Sequence, residues 1–180
     1  MFVGSEPPGI SSNVAPMGEF DDLLQRNQTY AETFQEGGFD GVAHAGVLVL
    51  TCMDSRIEPL RMLGLNLGDA KILRTPGGRA TPDATVGCIL GVHLLNVNRI
   101  MVVPHSRCAM ASGSDQQIAE SILERDGTDI RGMVLGATTD QLSALTHDVR
   151  TLRSHPLITG LAEVGGFMFD VDTGLLAEIY

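Results

Sequence analysis

Two stretches of the chain are apolar almost without interruption, GVLVLT at 46–51 and RIMVVP at 99–104, and a shorter one, AKILRT at 70–75, lies between them. Runs of this length bounded by turn residues are what strands covered on both faces require. The intervening segments change to helical spacing. EFDDLLQRNQTYAETFQ at 19–35 puts Phe20, Leu23, Leu24, Ala31 and Phe34 on one stripe and stops at Gly37 and Gly38. EPLRMLGL at 58–65 predicts a short helix. Thr81, Pro82 and Asp83 read as a cap, a first helical position and an acid at the positive helix end. The segment they open, 81–97, is apolar nearly all round, which predicts a buried helix. The polar stretch 106–139 predicts one short helix near 115–125. Leu142, Leu145, Val149 and Leu152 mark an amphipathic helix over about 140–153, ended by His155 and Pro156. GFMFDVDTGLLAEIY at 166–180 reads as two short strands about an Asp-Thr-Gly turn.

This alternation predicts an α/β fold, with a mostly parallel sheet flanked by helices, a C-terminal antiparallel hairpin and an N-terminal helical arm. At 180 residues, 43% hydrophobic and 19% charged, the chain is expected to form one domain over 1–180. Residues 1–18, which hold three of the eight prolines, are expected as an irregular arm. Twelve Lys and Arg against twenty-two acids give a net charge of −10, which argues against nucleic acid as a partner. No stretch is apolar for the roughly 18 residues a membrane span needs, and the start of the chain lacks a basic segment followed by an apolar run. Three cysteines are an odd number, and two of them lie where a metal favours thiolates. That usage points to a reducing compartment, the cytoplasm by default.

The chemistry sits just after the two apolar runs. Cys52 opens CMDSR at 52–56, and His105 and Cys108 bracket HSRC at 105–108. Two thiolates and one imidazole form an incomplete tetrahedron suited to zinc, and catalytic zinc sites leave the fourth position open. The bland alternative is a pair of buried free thiols beside a satisfied histidine. If the three side chains share one ion, the first and third strands must be neighbours and the second must lie outside the first, so the order is 2-1-3. With the first strand of the C-terminal segment placed next, the sheet is expected as 2-1-3-4. The reversal between strands one and three is then a topological switch point, where α/β proteins place ligands. Asp54 and Arg56 can pair as carboxylate and guanidinium beside the metal, against the alternative of a surface ion pair of small effect. Cys88 reads as a small buried hydrophobe, and His93 as a satisfied core histidine. His44, His147 and His155 read as solvated.

These residues resemble the β-class carbonic anhydrases, whose signature is CxDxR after the first strand, an arginine and a GlyGly pair after the second, and HxxC after the third. Here they stand as Cys52, Asp54, Arg56, Arg74, Gly77, Gly78, His105 and Cys108, and the likeness runs from about Glu19 to Tyr180. The resemblance implies reversible hydration of carbon dioxide to bicarbonate and a proton by zinc-bound hydroxide, with one Zn2+ per subunit on Cys52, His105 and Cys108. It implies that Asp54 orients the hydroxide or swings onto the metal as a fourth ligand, that Arg56 holds Asp54, and that Gly77 and Gly78 border the substrate pocket. It also implies a homodimer or a dimer of dimers. Enzymes that hydrolyse carbonyl sulfide or carbon disulfide share the scaffold, and a catalytically weak zinc-binding homologue is a third reading. The chain departs from the family at two places: Ala109 replaces the usual glycine after the second cysteine, and Thr75 and Pro76 replace Asn-Ala before the GlyGly pair.

Overall fold

A computed structural model describes residues 18–180, so the arm expected at 1–18 lies, apart from Gly18, outside the described residues. The chain divides into two compact units, one ending at Gly38 and one spanning Phe39–Tyr180. The first contributes helix α1, Asp21–Thr33, with Asp21 and Asp22 in its first turn beside the positive helix end.

The second unit carries a five-stranded sheet in the order β2-β1-β3-β4-β5. Its strands are β1 (Val47–Cys52), β2 (Ala70–Thr75), β3 (Arg99–Val103), β4 (Glu163–Phe169) and β5 (Leu176–Glu178). The first four run parallel, and β5 pairs antiparallel with β4, as the sequence pattern predicts. All six residues of β1 are buried, because neighbours hydrogen-bond to it on both sides and side chains cover both of its faces. Alternate residues serve opposite layers. Leu48, Leu50, Ile100 and Val102 join one core cluster, and Val47, Val49 and Val103 join the other with Ile57 and Phe169. Each fully buried aliphatic side chain contributes roughly 1.5–3 kcal/mol of transfer free energy. Edge strand β2 is only half buried.

The helices are α2 (Pro59–Leu63), α3 (Pro82–Leu94), α4 (Asp115–Asp126) and α5 (Gln141–Ser154). Thr81 caps α3 as expected, its side chain accepting from the Ala84 amide, and Ser114 and Gln117 form a reciprocal capping box on α4. The expectation that α3 is buried all round is corrected. Only Ala84, Cys88 and Gly91 are buried, whereas Val86, Leu90 and Leu94 face outward. A helix in an outer layer turns one stripe to the sheet, and α3 makes that stripe narrow by approaching closely: a Cβ on Gly91 would stand 2.9 Å from Leu48 Cδ1. Cys88 lies in the stripe, fully buried, and burial pushes its thiol up to about 12. His93 is not a core residue. It is exposed, and its Nε2 donates to the Leu157 carbonyl at 2.9 Å. Among the described residues no helix is long and apolar enough to cross a membrane.

One partly buried ion pair escapes sequence inspection. Asp148 on α5 takes Arg79 Nε at 2.6 Å and Nη2 at 3.0 Å, and also accepts from the Ala80 amide at 3.2 Å. The pair ties α5 to the segment that follows β2, and Arg79 also reaches the Gly136 carbonyl at 3.1 Å. Asp148→Ala leaves a partly buried guanidinium and the Ala80 amide without their acceptor, so it is expected to lower stability by about 1–3 kcal/mol. A shift of the urea midpoint worth well under 1 kcal/mol at unchanged slope would contradict that expectation.

Candidate metal centre

The site is assembled where β1 and β3 end side by side. Cys52 is the last residue of β1 rather than the first after it, so its main chain is anchored in the sheet. Thr51, one residue earlier, is fully buried and its hydroxyl donates to the Val103 carbonyl at 2.7 Å, pinning the two strand ends together. Gly78 packs into this junction with φ +70°. A Cβ there would stand 3.2 Å from Val103 O and 3.3 Å from Cys52 N, so only glycine fits without displacing the strands.

His105 follows β3 and is fully buried. Its Nδ1 lies 2.9 Å from the Ser106 carbonyl. A carbonyl only accepts, so Nδ1 carries the proton and Nε2 presents a lone pair. That Nε2 is a buried polar atom without any hydrogen-bond partner. Gln141 holds the residue from the other side, donating to the His105 carbonyl at 3.0 Å. Arg107 bends the chain with φ +53°, returning Cys108 toward the same point.

Cys52, His105 and Cys108, all buried, bring their ligand atoms within 4.8 Å of one another. The two sulfurs are 3.9 Å apart. Two thiolates on one tetrahedral zinc, each at about 2.3 Å, would stand about 3.8 Å apart. The orphaned imidazole nitrogen and the sulfur spacing therefore both fit a zinc ion. Burial pushes the His105 imidazole down, which keeps it neutral as a metal ligand must be, and burial with the neighbouring Cys52 sulfur pushes the Cys108 thiol up. A cation between the sulfurs reverses that last effect.

Asp54 is gripped by Arg56, whose Nε donates to Oδ1 at 2.9 Å and whose Nη2 donates to Oδ2 at 2.7 Å, with the Arg56 amide on Oδ1 at 2.9 Å. These bonds hold the carboxyl well below the usual carboxylate range. The folded value is depressed, so the stabilisation this pair gives is present above the ordinary value of 3.8 and is lost only in strong acid. Asp54 Oδ2 stands 3.7 Å from His105 Nε2, and both of its oxygens are engaged by Arg56. Arg56 Nη2 also donates to the Arg107 carbonyl at 3.2 Å, linking the CMDSR and HSRC loops.

Cys52, Asp54, Arg56 and Cys108 open on a pocket whose remaining walls are Met53, Ser55, Pro76, Ala109 and Met110. Both departures from the family signature, Pro76 and Ala109, therefore border this opening. Gly77 and Gly78 are buried and line a second, small cavity with Pro104, Gln141 and Met110, the last of which also borders the opening. Gln141 and the three carbonyl contacts of Arg74 were not legible as parts of the site. Gln141 carries no marker beyond its place at the start of a helix, and Arg74 is marked in the signature without its contacts.

Fold and site together define an α/β enzyme with a three-ligand candidate metal centre at a strand crossover. The chain belongs to the carbonic anhydrase family, in its β class: the family profile matches residues 47–176. The chain is 29% identical over 160 residues to "Beta-carbonic anhydrase 1" of Mycobacterium tuberculosis, covering 88% of this chain and 96% of that one. It is 28% identical over 159 residues to a "Carbon disulfide hydrolase" of Acidithiobacillus thiooxidans, covering 75% and 73%. The crystal structure of carbonic anhydrase from Streptococcus mutans superposes with a TM-score of 0.82 at 30% identity, covering 91% of this chain and 99% of that one.

Proposed function

We propose that the chain catalyses reversible hydration of carbon dioxide at a zinc centre held by Cys52, His105 and Cys108. The observation that carries this reading is the buried, unpartnered Nε2 of His105 facing two sulfurs 3.9 Å apart. Zinc bound there supplies the Lewis acidity that brings water toward its hydroxide form near neutral pH. The chain's own residues do the rest. Asp54, kept ionised by Arg56, accepts a hydrogen bond from the water and leaves an oxygen lone pair free toward the substrate. Arg56 keeps that carboxylate oriented. Met53, Pro76, Ala109 and Met110 give an apolar, uncharged molecule a surface to lie against without competing for hydrogen bonds. Gly78 lets the ends of β1 and β3 close up, and Gly77 leaves room for the Met110 side chain.

Hydrolysis of carbon disulfide or carbonyl sulfide is the second reading, favoured by the carbon disulfide hydrolase relatives. The same fourth position and apolar surface would serve it. A homodimer is part of the proposal, supported by the outward stripe of Val86, Leu90 and Leu94 on α3. A cytoplasmic setting is supported by the three free thiols. Purified protein is expected to carry about one zinc per chain, to elute at twice the chain mass, and to hydrate carbon dioxide in stopped flow from pH 6.5 to 9. Sulfide release from carbon disulfide with no hydration of carbon dioxide would select the second reading. Full zinc content with neither activity would overturn both.

A further inference from the structure

Arg74 stands near the end of β2, opposite Thr51 in the parallel register with β1. Its guanidinium folds over the loop that leaves β1. Nη1 donates to the carbonyls of Cys52 and Asp54, each at 3.1 Å, and Nη2 donates to the carbonyl of Ile57 at 2.6 Å. All three acceptors belong to the one segment that carries the candidate thiolate, the carboxylate and Arg56. The Asp54 carbonyl also takes the Ile57 amide at 3.3 Å, so Arg74 closes over a turn whose far end, Ile57, is fully buried.

This arrangement asks for arginine specifically. The five donors of a guanidinium lie in a plane and can meet carbonyls spread along an arc, whereas an ammonium is a point charge. Asp54 is consequently fixed twice, through its carboxylate by Arg56 and through its main chain by Arg74. Arg74 does not line the opening and touches no candidate ligand side chain. A displacement of about 1 Å at a reacting group costs on the order of a hundredfold in rate, so the loop's exact placement matters to any chemistry Asp54 performs.

We infer that Arg74 is a positioning residue: by gathering the carbonyls of Cys52, Asp54 and Ile57 it sets where the Asp54 carboxylate stands relative to Cys52 and His105. The inference rests on the reading of Asp54 as the group that orients water, and part of its test is independent of that reading. Arg74→Met and Arg74→Lys are compared with the parent as zinc-loaded protein. In both, amide hydrogen exchange at Arg56 and Ile57 is expected to speed up about tenfold or more, with Val49 and Leu50 in β1 unchanged. Zinc content is expected to stay at the parent level, while kcat for carbon dioxide hydration falls about tenfold to a hundredfold with KM nearly constant.

Parent-like exchange at Arg56 and Ile57 in both variants would overturn the clamp, whatever the parent's substrate. Faster exchange throughout β1 as well would show a general structural role and overturn the specific one. Faster loop exchange with unchanged kcat would overturn the positioning of Asp54. If Arg74→Met does not fold, Arg74→Lys carries the same comparisons, because it keeps the charge and the stem and loses only the fork.

Discussion

Replacing His105 with alanine is expected to remove zinc and carbon dioxide hydration together. The imidazole is one of three candidate ligands, fully buried and free of any hydrogen bond at Nε2, and the one other donor group beside it, the Asp54 carboxylate at 3.7 Å, is held away by Arg56. Two thiolates alone leave the ion with half its tetrahedral shell. The hydration rate should fall by at least about a thousandfold, and zinc measured by elemental analysis should drop to a small fraction of the parent value. Cys88→Ala supplies the control: that thiol is equally buried but belongs to the α3 stripe, among apolar side chains. Its loss should leave zinc content and rate unchanged. A His105→Ala protein that keeps both zinc and activity would place the centre elsewhere.

The second large effect concerns Asp54. Asp54→Ala should retain zinc, because Cys52, His105 and Cys108 are untouched, and should lower kcat by about a hundredfold. Arg56→Gln should lower it less, since the carboxylate remains but loses both guanidinium bonds. Because Arg56 holds the Asp54 carboxyl well below the ordinary range, that group is ionised at every pH from 6.5 to 9. A fall in the parent's rate toward pH 6.5 therefore reports a group other than the Asp54 carboxyl. Unchanged hydration by Asp54→Ala in stopped flow would sink the mechanism.

The strands were readable because their apolar runs have few other uses: GVLVLT and RIMVVP are too uniformly apolar for a surface and too short for a typical helix. Neighbourhood of strands one and three followed from asking Cys52 to meet His105 and Cys108. The helices were legible in place but not in exposure. The composition of α3 says that it is apolar, and nothing in it says that only Ala84, Cys88 and Gly91 meet the sheet. The same limit misplaced His93, whose surroundings depend on Leu157, 64 residues away. The site's supports were the least visible part. Arg74, Gln141 and the Arg79–Asp148 pair act through contacts 17 to 69 residues apart, and no local pattern marks which side chain will reach which carbonyl. The GlyGly pair was legible as special, but the reason at Gly78, the close approach of the β1 and β3 backbones, was not.

Cys52 and Cys108 lie 56 residues apart, and the stretch between them contains α2, β2, α3 and β3. A single ion gripping both ends would act on this chain as a cross-link does. It encloses a loop of that size, and closing such a loop removes about 4 kcal/mol of conformational entropy from the unfolded ensemble on the chain-entropy model. The atoms that hold the reactive ion would thus also knot the crossover around which the sheet is wound. Loss of such an ion would then act twice, first on the proposed reaction and then on the persistence of the fold, and the second effect would fall hardest on the segment from β1 to β3 that forms the centre.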